Sequence, residues 1–313
     1  MNVTMEGKRR AEGLWSRFLK QKYLWVLVVP GLIWITIFCY VPLYGVTLAF
    51  KDYVPRLGIT GSPWVGLEYF RELFSDSYFW NALRNTLMYG FLNLLVGFPV
   101  PIIFAVLLNE LFNMDGFKKV VQTISYLPHF LSWAFIATFL ISITGDSGLL
   151  NVLLTELGLL KAPYAFMSNS LSFIIIIVMA GVWKSFGYNS IMYLAAMATV
   201  DQEMFEASHI DGANRLQRIW YITLPSIKST TVVLLILSIS SIMQSGFEQF
   251  YLLRNNLVMD VARVLDIYTY SLGFEKARLS YATAVGLFKS VVSVALLVTA
   301  NTVSNKVTGE SIY

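Results

Sequence analysis

Charge is scarce in this chain. Lys, Arg, Asp and Glu make up 13% of its 313 residues, where a soluble domain carries about 25%. Soft metal ligands are scarcer. A single cysteine, Cys39, excludes an intrachain disulfide. The two histidines, His129 and His209, stand far apart and fall in no HExxH pattern, which leaves too few ligands for a structural zinc site. No GxxxxGK[ST] run occurs, and the Lys-Ser pairs at 184–185 and 289–290 lack the preceding glycines. The chain therefore cannot cradle nucleotide phosphates in the P-loop manner.

What is abundant is apolar: 56% of the residues, with a mean hydropathy of +0.62. This points to an all-α polytopic membrane protein. Six segments are long enough to cross about 30 Å of hydrocarbon as helices, at 24–49, 85–108, 121–143, 171–197, 229–250 and 280–303. Cys39 is expected to pack within the first. The net charge of +4 is not gathered into a basic patch alternating with aromatics, so no nucleic-acid partner is expected. Six of the basic residues (Lys8, Arg9, Arg10, Arg17, Lys20, Lys22) precede the first apolar run, as flanking charge beside a membrane span does. That run is too long for a signal-peptide core and no small-residue cleavage site follows it. Residues 1–22 thus read as a basic N-terminal segment and 23–313 as one transmembrane domain. With the N-terminus inside, twelve Lys and Arg fall in the inner segments against nine in the longer outer ones. Both termini are then expected in the cytoplasm, with a polar loop at about 199–228. The outer segments have room for short surface helices and not for a separate domain.

That loop contains FEASHIDGANRLQRIWYITLP, residues 205–225. Thr199 and Gln202 have capping-box spacing, so a helix is expected from near Val200, with Asp201 and Glu203 suiting its positive end. Met204, Ala207 and Ser208 share one face. Gly212, after Asp211, can take the left-handed conformation that ends a helix. A second short amphipathic segment follows, and Leu224-Pro225 turns the chain back. The result is a helix, a corner and a second helix.

This block resembles the EAA loop of ABC importer permeases. Glu206, Ala207, Gly212, Ile222, Leu224 and Pro225 fall at that motif's spacing, with Ser208 standing where Ala is usual. VPLYGVTLAFKDY (41–53), NTLMYG (85–90), SYLPHFLSW (125–133) and GVWKSFGYN (181–189) resemble the carbohydrate-uptake, maltose-type permeases, particularly the oligosaccharide and alginate-type group. The resemblance implies that Glu206, Ala207, Ser208, Asp211 and Gly212 dock on a separate ABC ATPase, with Ile222, Leu224 and Pro225 as scaffold. It implies a second permease subunit, usually a different chain, an extracytoplasmic solute-binding protein and a saccharide substrate, in the cytoplasmic (inner) membrane of a bacterium. ATP and Mg would be bound by the ATPase, and no cofactor by this chain.

Two lysines lie deep in the expected spans: Lys184 on the order of 18–20 Å from the outer face and Lys289 on the order of 14 Å. No Asp or Glu stands mid-span, so both should face water, a partner subunit or backbone carbonyls; snorkelling is the alternative for Lys289. Ser238, Ser241, Gln244, Ser245 and Glu248 follow helical spacing in span five, as do Thr283, Gly286, Lys289, Ser290 and Ser293 in span six. Such stripes are either helix–helix glue or the wall of a wetted cavity, and the larger Gln244, Glu248 and Lys289 favour the cavity. In span four, Trp183, Tyr188 and Asn189 offer an aromatic face and amide hydrogen bonds suited to a sugar, and Gly187 a point where the helix could loosen. His129 is expected to be hydrogen-bonded and structural. A gradient-driven secondary transporter or channel is the competing function, but it would want intramembrane carboxylates. A membrane enzyme would want a Ser-His pair, an aspartate pair or a zinc cluster, and none is present.

Overall fold

In the computed structural model, which describes residues 22–111 and 114–312, the chain is built from helices, and among those residues the one extended pairing is a single antiparallel bridge, Lys51 with Trp64. The basic segment 1–22 otherwise lies outside the described residues. α1 (Lys22–Ile35) continues through a π turn at Thr36–Tyr40 and a 3₁₀ stretch at Val41–Phe50. Pro42 has no N–H, so the regular ladder cannot pass through it. The whole rod, Lys22–Phe50, is long and apolar enough to cross a membrane, yet its most apolar stretch buries nothing against the rest of the chain. Cys39 is accordingly exposed, and the expectation that it packs fails for lack of a neighbour.

After the short α2 (Glu68–Ser75), the Asp76 carboxylate accepts from the Tyr78 N–H and starts α3 (Ser77–Leu92). A π turn at Asn93–Gly97 joins α3 to α4 (Pro99–Asn109) in one span, Ser77–Asn109, which begins earlier than the expected residue 85 because of that cap.

The third span departs from expectation. The run 121–143 is not one helix: α5 (Asp115–Tyr126) stops at a 3₁₀ turn, Leu127–Phe130, that contains Pro128. A new helix, α6 (Trp133–Thr144), starts at Ser132, whose hydroxyl accepts from the Phe135 N–H. With α7 (Leu149–Glu156) it makes the membrane-length unit Trp133–Glu156. α8 (Ser170–Met197) is the fourth span, capped by Asn169.

α9 (Gln202–Ile210) and α10 (Arg215–Arg218) form the loop, and a π turn at Ile219–Thr223 leads into Leu224–Ser226. The chain then bends by 64° into α11 (Lys228–Ser240), followed by a 3₁₀ turn at Ser241–Met243. The expected span 229–250 breaks here. Gln244 is extended and Gly246 is left-handed at φ 77°, so α12 (Phe247–Leu253) starts on a new axis. α13 (Leu265–Tyr270) and α14 (Leu279–Thr308) complete the bundle. Five units are long and apolar enough to span a membrane, and six if the bent pair counts as one.

Residues 247–270, of which 251–270 lie beyond the expected fifth span, supply much of the core. Phe250, Leu253, Val258, Ala262 and Ile267 pack with Tyr89, Ala137, Phe173 and Ile177 from α3, α6 and α8. The buried Asn85 donates to the Asp260 (2.7 Å) and Arg263 (3.0 Å) carbonyls, and Thr86 accepts from the Leu265 N–H (2.8 Å). The NTLMYG stretch thus pins the segment that enters α13. Outward-facing apolar side chains on the spans have nothing to gain from the interior, since lipid tails are as apolar as they are.

Gly187 marks a close approach and leaves α8 intact, contrary to the expected loosening. A Cβ there would stand 2.0 Å from the Ser125 carbonyl oxygen at the end of α5. At Gly286 nothing lies within 4 Å. Gly187→Ala should therefore cost about 1–3 kcal/mol through overpacking, whereas Gly286→Ala should be neutral or gain up to about 1 kcal/mol from helix propensity. Thermal unfolding of the two purified variants in one detergent checks the opposite signs.

Candidate functional site

Two features stand at different depths of the bundle: a polar cavity between the broken spans and the angular loop at one end.

The cavity measures about 550 Å³ and is walled by α3, α8 and α11 with the breaks at 127–132 and 244–246. Its polar groups include Asn93, Lys184, Asn189, Ser238, Gln244 and Gln249. Lys184 is held by backbone. Its ammonium donates to the carbonyls of His129 (2.8 Å), Pro128 (3.4 Å) and Leu131, and lies 5.8 Å from the Trp133 ring. The 3₁₀ turn and the extended Leu131 after it interrupt the regular helical ladder, so carbonyls here can turn to the ammonium; the Pro128 carbonyl also accepts from the Leu131 N–H at 3.2 Å. The stretches 125–133 and 181–189 are therefore two halves of one contact. The His129 ring stacks flat on Tyr188, 3.9 Å apart at 4°, and its Nδ1 finds no hydrogen-bond partner among the described residues. The expected hydrogen-bonded role is taken instead by ring stacking.

Of the sequence-derived path residues, Lys184, Asn189 and Gln244 line this cavity, and so do Ser238, Ser241 and Ser245 of the span-five stripe despite the break. Trp183, Tyr188, Glu248 and Lys289 are not among its lining residues. Glu248 sits on α12, within electrostatic reach of Lys184. Lys289 forms an ion pair with Asp266 of α13, and the other Asp266 oxygen accepts from the Ser245 N–H at 3.2 Å. A carboxylate partner for Lys289 was not expected. Asp266 lies in a segment that hydropathy places outside the membrane, and only the inward folding of 247–270 delivers it. In α14 the Thr283 and Ser290 hydroxyls donate to their own helix.

At the loop, α9 begins two residues later than expected, at Gln202. Asp201 is the cap, its carboxylate accepting from the Glu203 N–H at 3.0 Å, while the Thr199 hydroxyl turns back to the Ala196 carbonyl. A charged acceptor at that position suits the helix dipole better than a hydroxyl. Gly212 has φ 73°, and the corner closes with Gly212 N–H to His209 O (3.1 Å) and Ala213 N–H to Ser208 O (2.9 Å). This is the glycine C-cap in which two orphan carbonyls are satisfied together. Asn214 immediately caps α10 in a reciprocal box with Gln217, a signal legible in the sequence and overlooked there. Glu206, Ala207, Asp211 and Gly212 are exposed, and Ser208 is half-buried with its hydroxyl on the Phe205 carbonyl. Ile222 and Leu224 are half-buried, Leu224 against Ala105, Tyr193 and Met197, and Pro225 opens the last turn before the bend. Ile210, Leu216, Trp220 and Tyr221 stand 88%, 67%, 66% and 78% exposed. So much apolar surface on a polar loop marks a contact with something else.

One buried pair ties this loop to the bundle. Arg218, 4% exposed, meets Glu110, 8% exposed, at 3.4 Å just past the end of α4, and its guanidinium also approaches the His209 ring at 2.9 Å. Sequence reading missed both residues, because each was a loop charge with no visible mate.

Several membrane-length helices, broken around an internal polar cavity and carrying an angular loop at one end, define a polytopic membrane transport component. Residues 73–308 match the family described as "Binding-protein-dependent transport system inner membrane component", and the chain belongs to that family. Relatives in Bacillus subtilis (strain 168) include Protein LplB, 45% identical over 301 residues (96% of this chain and 94% of that one). The Polygalacturonan/rhamnogalacturonan transport system permease protein YteP is 43% identical over 307 residues (98% and 95%). The crystal structure of a bacterial ABC transporter involved in the import of the acidic polysaccharide alginate contains a chain matched with a TM-score of 0.87 at 36% identity, covering 95% of this chain and 100% of that one.

Removing one member of a buried ion pair leaves the other charge uncompensated, at a cost of about 3–5 kcal/mol. Glu110→Ala should lower the melting temperature of the purified chain sharply. The double variant Glu110→Ala/Arg218→Leu should recover most of the loss, measured by thermal unfolding in detergent.

Proposed function

We propose that this chain is the permease subunit of an ATP-binding-cassette importer that moves an oligosaccharide inward, and that residues 199–228 are the element through which a separate ATPase drives it. The observation that carries the reading is the loop. Its Gly212 corner fixes the angle between two capped helices, its exposed face mixes Glu206 and Asp211 with uncovered apolar side chains, and its inner side is tied to α4 by Arg218 and Glu110. A force applied to such an element moves the bundle with it. The near full-length likeness to LplB, to YteP and to the alginate-importer chain supports the transport reading and a saccharide cargo.

In this reading the loop and both termini lie in the cytoplasm, and the membrane is the cytoplasmic membrane of a bacterium. The cavity around Lys184, Asn189 and Gln244 lies on the substrate path. Lys184, its three N–H donors already taken by three carbonyls, acts there as a fixed positive pole, and the neighbouring amides hydrogen-bond sugar hydroxyls. Trp183, Tyr188, Glu248 and Lys289 would reach substrate only in another conformation of the bundle. ATP and Mg are handled by the ATPase, a second permease completes the channel, and an extracytoplasmic solute-binding protein delivers the sugar. Such a binding protein stands, loaded with alginate pentasaccharide, in the periplasmic-protein complex of a second matching structure, with a TM-score of 0.87 at 36% identity.

Purification of the tagged chain from its host in a mild detergent, with mass spectrometry of what accompanies it, tests the reading. A P-loop ATPase and a second permease should accompany the parent. The ATPase should be lost, and the second permease kept, in Gly212→Pro, which removes an N–H the corner uses, and in Glu206→Lys, which leaves the fold alone. A chain that arrives alone, or that keeps its ATPase in both variants, overturns the importer reading in favour of a gradient-driven carrier.

A further inference from the structure

At the end of the bundle opposite the loop, where α3 begins, lies a second cavity of about 500 Å³, within the range of small-molecule sites. Its charged wall comprises Arg254, Arg263, Lys276 and Arg278 against Asp76 and Glu275. Four cations face two carboxylates, and both carboxylates are committed. Asp76 caps α3 and accepts from the hydroxyls of Tyr268 and Tyr281. Glu275 accepts from Arg254 (3.1 Å) and Ser271 (2.7 Å), and the Ser271 hydroxyl, then Arg254, hold its carboxyl below the usual range. Arg278 is met by Glu72 through two parallel bonds, at 2.8 and 2.6 Å.

Arg263 and Lys276 remain, Lys276 acting on the neighbouring Glu275 only at a distance. Among the described residues neither forms an ion pair. Arg263 is half-buried, which makes an unpaired guanidinium costly. It lies over the Tyr78 ring at 4.5 Å, as Arg254 lies over Tyr251 at 4.8 Å and Arg278 over Tyr281 at 4.6 Å. Three guanidinium planes are therefore fixed on aromatic faces before any ligand arrives. Such preorganisation lowers the entropic cost of binding, and a planar fork suits a carboxylate.

We propose that this cavity is a binding site for the carboxylate groups of a uronate-containing oligosaccharide, with Arg263 and Lys276 as the receiving cations and Arg254 and Arg278 framing them. The proposal deepens the saccharide reading given above and rests on it: it makes the cargo acidic and places its first contact with this chain at the mouth of the path. The deeper cavity around Lys184 then receives a sugar already aligned.

The test uses the purified complex with its ATPase and second permease, reconstituted in nanodiscs without the solute-binding protein. Equilibrium binding of radiolabelled trigalacturonate and trimannuronate is compared with that of their methyl esters. The parent should bind at least one acid more tightly than its ester, and the preference should shrink at high salt. Each carboxylate–cation bond is worth about 1.5–3 kcal/mol, so Arg263→Gln/Lys276→Gln should bind that acid about tenfold more weakly or worse and leave the ester unchanged. Equal affinity for acids and esters in the parent overturns the proposal, as does a loss that falls equally on both. If the variant instead weakens docking of the solute-binding protein and not of the free acid, the cations serve a protein contact and the proposal also fails. Failure of the transport reading shows separately, as absent saccharide uptake by vesicles carrying the whole parent transporter with its binding protein, and leaves the binding comparison interpretable.

Discussion

A lysine ammonium in the middle of a membrane bundle has to be satisfied by the protein, and Lys184 is satisfied by backbone carbonyls. That one requirement organises much of the rest. Carbonyls inside a regular helix are already taken, so the helix facing α8 must be broken, and Pro128 and the Ser132 cap break it. For the broken turn to lie against α8, the end of α5 must come close enough to touch backbone, and Gly187 permits this. The break in turn cannot face lipid, because unsatisfied peptide groups are tolerated at membrane depth only where protein or a water-filled cavity receives them. It faces the polar cavity.

The same logic recurs at 244–246. There the chain leaves helical geometry at a left-handed glycine, and the freed segment exposes Gln244 and Ser245 to the cavity and to Asp266. Asp266 then meets Lys289, so the second deep lysine is answered by a carboxylate folded in from a short helix. Charged side chains, breaks and cavity are thus one arrangement. Remove the breaks, and the lysines lose their partners while the cavity loses His129, Gln244 and Ser245 from its wall.

The loop obeys a different economy. It lies beyond the apolar part of the bundle, so its geometry is set by caps and turns more than by burial. Asp201, Gly212 and the Asn214–Gln217 box define where each helix starts and stops. The buried pair of Arg218 and Glu110 makes this otherwise exposed element part of the rigid body that includes α4. An angular, uncovered element with a stiff attachment can pass on a push, whereas a tethered one would absorb it.

Hydropathy alone located the first, second, fourth and sixth spans to within a few residues at most ends, because about twenty apolar residues in a row leave few other options. Spacing alone found the glycine corner of the loop, because few residues other than glycine sit comfortably at positive φ. Neither showed the breaks in the third and fifth spans, since apolar runs continue across both and a window average does not register one proline or one left-handed glycine. Nor did they show that 247–270 folds into the core. Its alternation of polar and apolar residues resembles an exposed segment until Asn85 and Thr86 are seen holding its backbone. What the sequence determined was what each stretch could tolerate: hydrocarbon, a corner, a cap. Which charges meet was decided by tertiary structure, because the partners of Lys184, Lys289 and Arg218 lie 53–56, 23 and 108 positions away and no local pattern records such distances.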